Sequence, residues 1–182
     1  MQHTLIALVE DKPGVLNRVA SLFRRRAFNI ESLTVGHTEN PGVSRMTIVV
    51  NSEQTDAERV VAYLYKLVNV IRVEDLASVP SVIRDLAMVK VNACPENRAE
   101  IMQLVDVYRA RIIDITNNSL IIEITGDEQK IDSFVEILRP LGIIEMVRTG
   151  TVAMARGPES ISAMNGTLVE IPNTVETSSE YS

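Results

Sequence analysis

The 182-residue sequence contains one cysteine, two histidines, no tryptophan and only 4% aromatic residues. Each shortage removes a class of chemistry. A lone Cys94 cannot form an intrachain disulfide and offers no paired spacing for zinc. Placed before Pro95 at the end of an apolar run, it reads as a small buried residue, not a nucleophile. His3 and His37 have no cysteine or carboxylate at ligand spacing, so no metal and no cofactor is expected in this chain. Positive charge is also short: 18 Lys and Arg face 24 Asp and Glu, a formal net charge of −6. Binding to a phosphate backbone needs the opposite balance, and base stacking needs exposed aromatics, so nucleic acid is not an expected partner. The one basic run, Arg24-Arg25-Arg26, falls where a helix should end and suits the negative end of its dipole. No apolar run approaches the ~20 residues of a membrane span, and no targeting segment is visible. These absences point to a reducing cytoplasm and no membrane contact. There is no P-loop, no GxGxxG and no nucleophile elbow, hence no constellation for catalysis.

Apolar residues, in contrast, make up 46% of the chain and are strongly patterned. Residues 3–10 form a short apolar run ending at Pro13-Gly14, as expected of a strand, and Pro13 suits the first turn of the helix that follows. Val15, Leu16, Val19, Ala20, Leu22 and Phe23 recur at helical spacing. Residues 30–37 and 44–51 predict a hairpin across Glu39-Asn40-Pro41-Gly42. Ala57, Val60, Val61, Leu64, Leu67 and Val68 mark a second helix, and residues 70–76 a fourth strand. After a linker at 78–84 the same order returns. A strand over 85–93 precedes a helix through Ile101, Leu104, Val105 and Tyr108. A hairpin of 112–116 with 120–125, a helix through Ile131, Phe134, Val135 and Leu138, and a last strand over 143–155 complete it. The expected fold is α+β: two ferredoxin-like βαββαβ domains over 1–77 and 85–156, each with two helices on one face of a four-stranded antiparallel sheet. Residues 157–182 lack periodicity and read as a disordered tail. Both parities of the first strand are apolar, so both sheet faces need cover, which favours domain packing or a homodimer.

The junction after the first strand is the strongest local signal. A helix opening there leaves backbone N–H groups around Gly14, Val15 and Leu16 for a carboxylate, and Gly14 allows close approach. Asp11 or Asn29 would accept from an ammonium group, with Leu16, Ile30 and Val35 as candidate apolar walls. Asn29 reads equally as a helix-terminating residue in the left-handed region.

The run Phe28-Asn29-Ile30-Glu31-Ser32-Leu33-Thr34-Val35 through Ser44-Arg45-Met46-Thr47-Ile48-Val49-Val50 resembles the ACT-domain family of amino-acid sensors, and within it the small subunits of acetolactate synthase. Glu10 to Leu16 fits that family's first loop. Lys66 to Val73 fits its second helix and fourth strand, and Arg111-Ile112-Ile113-Asp114 its second domain, so the resemblance spans about residues 2–157. It implies an ACT domain over 1–77 for effector binding and dimerisation. It also implies a non-catalytic regulatory chain that activates a large catalytic subunit and confers feedback inhibition by valine. Thiamine diphosphate, magnesium and a flavin would reside in that large subunit. Carried over by position, the effector residues are Asp11, Gly14, Val15, Leu16 and Asn17 of one chain with Asn29 and Ile30 of its partner. A free-standing amino-acid-sensing ACT regulator is the alternative, although no DNA-reading element is visible.

Overall fold

The computed structural model describes residues 2–51, 56–158 and Ile161. Thr4 to Val9 are all buried, which is why the first strand, β1 (Gln2–Glu10), sits inside its sheet. It is followed by α1 (Val15–Arg25), β2 (Ser32–His37), β3 (Val43–Asn51), α2 (Ala57–Leu64) and β4 (Val70–Asp75), in sheet order β2-β3-β1-β4. The second unit repeats this order with β5 (Ser81–Asn92), α3 (Arg98–Val107), β6 (Arg111–Ile115), β7 (Ser119–Gly126), α4 (Glu128–Leu138) and β8 (Ile143–Arg148), arranged β6-β7-β5-β8. Both are therefore ferredoxin-like α+β units, as the periodicity predicts.

Alternation explains the layers. Leu5, Ala7 and Val9 face the helices and join Val15, Val19, Leu22, Phe23, Val60 and Leu64 in one core. Ile6 and Leu8 point to the other face, where they meet Leu76, Ala153 and Ile161. The predicted need to cover both faces is met within the chain. A final strand, β9 (Val152–Ala155), pairs with Ser81–Arg84 at the start of β5, and this two-stranded ribbon lies over the outer face of the first sheet. Arg45 on β3 donates to the Ala153 carbonyl at 2.6 Å, and the Thr151 N–H donates to Ser32 Oγ at 2.8 Å.

Several local expectations need correction. Residues 81–84, read as part of a linker, are strand, because β9 supplies their partners. The strand predicted over 143–155 breaks at residues 149–151, where the chain passes from its own sheet to the first domain. Pro13 lies before α1, in a turn closed by Val15 N–H to the Lys12 carbonyl at 3.3 Å; Gly14, at φ 84°, takes the positive-φ position that such a Pro-Gly turn requires. Ala20 is exposed, so the buried stripe of α1 is narrower than predicted. Cys94 is exposed, not buried, because Val89, Val91 and Ala93 take the inward parity. The left-handed residue after α1 is Ala27 at φ 54°, not Asn29, with the Phe28 N–H closing back on the Phe23 carbonyl at 3.0 Å. The basic run does fall at the end of α1, and Arg26 stacks over Tyr63 at 4.1 Å. The tail expected to be disordered lies outside the described residues, apart from Gly157, Pro158 and Ile161.

Gly150 marks how closely the two units approach. A Cβ there would stand 2.5 Å from Thr34 Oγ1 and 3.0 Å from the Leu33 carbonyl oxygen, whereas one at Gly36 would meet nothing within 4 Å. Gly150→Ala should therefore lower stability by about 1–3 kcal/mol, the usual cost of overpacking, while Gly36→Ala should not. Urea unfolding of both variants against the parent checks this; equal midpoints for all three would contradict the packing.

Candidate functional site

The loop after β1 is held from below. Glu10 N–H donates to the Asn69 carbonyl at 2.9 Å, and Asp11 N–H to the Gly42 carbonyl at 2.8 Å. Asn69, itself buried, donates from Nδ2 to Glu10 Oε2 at 2.5 Å and accepts from Arg18 on α1. Lys12 Nζ lies 3.3 Å from the same Glu10 carboxylate. The chain Lys12–Glu10–Asn69–Arg18 thus ties the strand end, the turn before β4 and the first helix together. Its hydrogen bonds, Asn69 first and Lys12 second, hold the Glu10 carboxyl below the usual carboxylate range.

Above this base the helix terminus is open. Gly14 caps α1 without a side-chain bond, and its carbonyl accepts from Arg18 N–H at 3.0 Å. The N–H groups of Gly14, Leu16 and Asn17 find no partner among the described residues, as expected for the first turn of a helix. Val15 contributes differently: its side chain is buried in the core and its N–H closes the turn. Leu16 is 46% exposed and Asn17 is exposed beside it. Asp11 Oδ2 stands 3.3 Å from His37 Nδ1, which brings the loop after β1 to the end of β2. The arrangement suits a small zwitterion, with N–H donors and the helix dipole for a carboxylate and Asp11 for an ammonium.

Asn29 and Ile30 do not join this group within the chain. The start of β2 is in register with the start of β1, since Val49 pairs with both Ser32 and Thr4, whereas the loop follows Glu10, opposite Val43. At about 3.3 Å per residue the two ends are about 20 Å apart. Asn29 is exposed and Ile30 half-buried there, and Val35 is 42% exposed further along the same edge strand. Close to Asn29 and Ile30 lies a polar cleft of about 430 Å³ between the two units, lined by Gln2, Glu31, Asp85, Glu128 and Arg148 among others. Sequence reasoning missed Glu10, Arg18 and Asn69, because a polar residue next to a turn ordinarily faces water. Among the described residues no cluster of His, Cys, Asp and Glu could hold a metal ion, and no helix is long and apolar enough to cross a membrane.

A family model described as an AHAS small subunit-like ACT domain matches residues 5–72, and one described as the small subunit of acetolactate synthase matches residues 84–157. A probable acetolactate synthase small subunit from Archaeoglobus fulgidus is 53% identical over 157 residues, covering 86% of this chain and 98% of that one. The chain belongs to the acetolactate synthase small-subunit family. The small subunit from Mycobacterium leprae is 49% identical over 162 residues, spanning 89% of this chain and 96% of its own length. A crystal structure of the Thermotoga maritima small subunit aligns with a TM-score of 0.80 at 41% identity, covering 87% of this chain and 99% of that chain. Family membership identifies the chain as a regulatory small subunit and its first unit as an ACT domain.

For this small subunit the Glu10 network sets a pH dependence. A carboxyl whose folded pKa is depressed contributes stability above its unfolded pKa, and that contribution is lost as pH falls through the folded value. Glu10→Gln should lower the thermal midpoint at pH 7, and the gap to the parent should close as pH falls below the ordinary carboxylate range. A gap that stayed constant across the acid range would show that the carboxylate charge is not what the network uses.

Proposed function

We propose that this chain activates a separate, catalytic large subunit of acetolactate synthase and makes it sensitive to free valine, without catalysing the reaction itself. The large subunit would carry thiamine diphosphate, magnesium and a flavin, and would condense two pyruvates to acetolactate or pyruvate with 2-oxobutyrate to acetohydroxybutyrate. The family supplies the role. The open N-terminus of α1 beside Asp11 is the observation that carries the effector reading.

In this reading valine's carboxylate takes the Gly14, Leu16 and Asn17 N–H groups and its ammonium faces Asp11, with Leu16 beside its side chain. Val15 acts through its backbone and its anchorage in the core. Asn29 and Ile30 come from a second copy of the chain. The first sheet supports this, because β2 is an edge strand. Pairing two β2 strands antiparallel about a two-fold axis brings the start of one beside the end of the other, where His37 and the Asp11 loop stand. Burying a valine side chain contributes roughly 1.5–3 kcal/mol, comparable with an allosteric coupling of about 1–3 kcal/mol, so partial inhibition is the expected form.

Acetolactate formation by a purified large subunit, with and without this protein and across valine concentrations, tests the proposal. The small subunit alone should form no product, should raise the large subunit's rate, and should make that rate fall with valine. Gly14→Asp should abolish the valine response while activation persists, since a Cβ at Gly14 meets no atom within 4 Å but a carboxylate there repels the ligand's own. Gly14→Ala, with the same positive φ and no charge, should retain part of the response. Product from the small subunit alone, or full valine sensitivity in Gly14→Asp, would contradict the assignment.

A further inference from the structure

On the outer face of the first sheet, between β2–β3 and the β5–β9 ribbon, lies a cleft of about 500 Å³ that the effector reading does not use. Its size is in the range of small-molecule sites. Arg45 projects into it from β3. Directly opposite Arg45 on β2 stands Gly36, whose missing side chain leaves that part of the cleft floor open: a Cβ there would meet nothing within 4 Å. Burial lowers the pKa of Arg45 from its ordinary value, against the opposing pull of Glu39 and Glu74. Arg84 adds a second guanidinium at the wall, and Val82, Val152 and Met154 supply apolar surface. Arg84 is exposed and donates to its own neighbour's carbonyl, Ile83 O, at 2.7 Å.

The lining contains no aspartate and no glutamate. That separates it from the loop after β1, where Asp11 offers an acceptor for an ammonium group. A half-buried guanidinium and a second arginine beside apolar walls recognise an anion attached to a hydrocarbon body. A positively charged amino group on the same molecule would meet the repulsion of two guanidinium groups with only threonine hydroxyls and no carboxylate in the lining to offset it. We propose that this cleft binds an organic monocarboxylate with an apolar body and no amino group, either a 2-oxo acid or a simple alkanoate, as a second site distinct from the valine site. Strand pairing through β2 uses backbone groups in the plane of the sheet, whereas the cleft lies above it, so a dimer formed through β2 keeps the cleft available. The inference stands whether or not the loop binds valine.

Amide NMR titration of the full chain tests it with four probes: 4-methyl-2-oxopentanoate, 4-methylpentanoate, leucine and inorganic phosphate. The first three share one hydrocarbon body, so the amino group is the variable. The two acids should saturate shifts at Gly36, Thr47 and Ala153, with leucine and phosphate at least about tenfold weaker at those amides, as expected for one charge-assisted contact. Tighter binding of the oxo acid would assign the 2-oxo class, and equal or tighter binding of the alkanoate the simple carboxylate; either supports the site. Arg84→Gln and Met154→Glu, both at exposed positions, should each weaken the acids about tenfold, and Gly14→Asp should leave them unchanged. No saturable shift up to about 10 mM, phosphate or leucine binding as well as the acids, indifference to both cleft variants, or loss of the shifts in Gly14→Asp would each overturn the proposal.

Discussion

A pleated strand has a fixed rise, and the first sheet therefore keeps its two ends apart whatever the loops do. The helix N-terminus after β1 and the turn before β2 sit at opposite ends of that sheet, with the register of β1, β3 and β2 setting the span. No side-chain motion closes such a gap within one chain. If both ends serve one ligand, two chains must meet, and the unpaired edge of β2 is the surface through which they would meet with the ends correctly matched. Regulation would then be tied to association by geometry, because the ligand and the second chain complete the same site.

The same sheet is constrained from above. Ile6 and Leu8 leave an apolar outer face, and the chain covers it with its own β5–β9 ribbon. Residues 149–151 lead into that ribbon and touch the start of β2, through the Thr151 N–H on Ser32 Oγ and through Gly150 against Thr34. Glu31, next to Asn29 and Ile30, is further linked through Gln2 to Glu128 on α4, with contacts of 3.1 and 3.4 Å. The start of β2 is therefore in direct contact with the second unit. Exposed polar contacts of this kind contribute little stability individually, so their place in the structure is better understood as alignment of two stiff bodies than as glue.

Much of this was legible in the sequence. Periodicity alone placed the seven strands and four helices of the repeated order from Leu5 to Leu138, because long amphipathic segments with Pro-Gly or Asn-Asn turns leave few alternatives. The double apolar parity of β1 correctly signalled two covered faces, but what covers the outer one depends on pairing between Ser81–Arg84 and Val152–Ala155, a partnership some 70 residues apart that no local pattern encodes. Cys94 was misjudged by a single residue of strand parity, and Pro13 by one turn, since Pro-Gly suits both a helix start and a tight turn. Asp11, Gly14, Leu16 and Asn17 do share one exposed corner, whereas the support beneath them from Asn69, Glu10 and Arg18 is tertiary and silent in the sequence.

An effector site built from two chains can be separated from one built within a single chain by complementation. Differentially tagged Gly14→Asp and Asn29→Ala chains can be co-expressed, the mixed dimer isolated, and valine binding counted by calorimetry. Each mixed dimer should bind one valine with the affinity of the parent, because one loop and one Asn29 remain intact across the same interface, while either variant alone binds at neither site. A correctly folded mixed dimer with no parental-affinity site would contradict the two-chain site and place each site within a single chain.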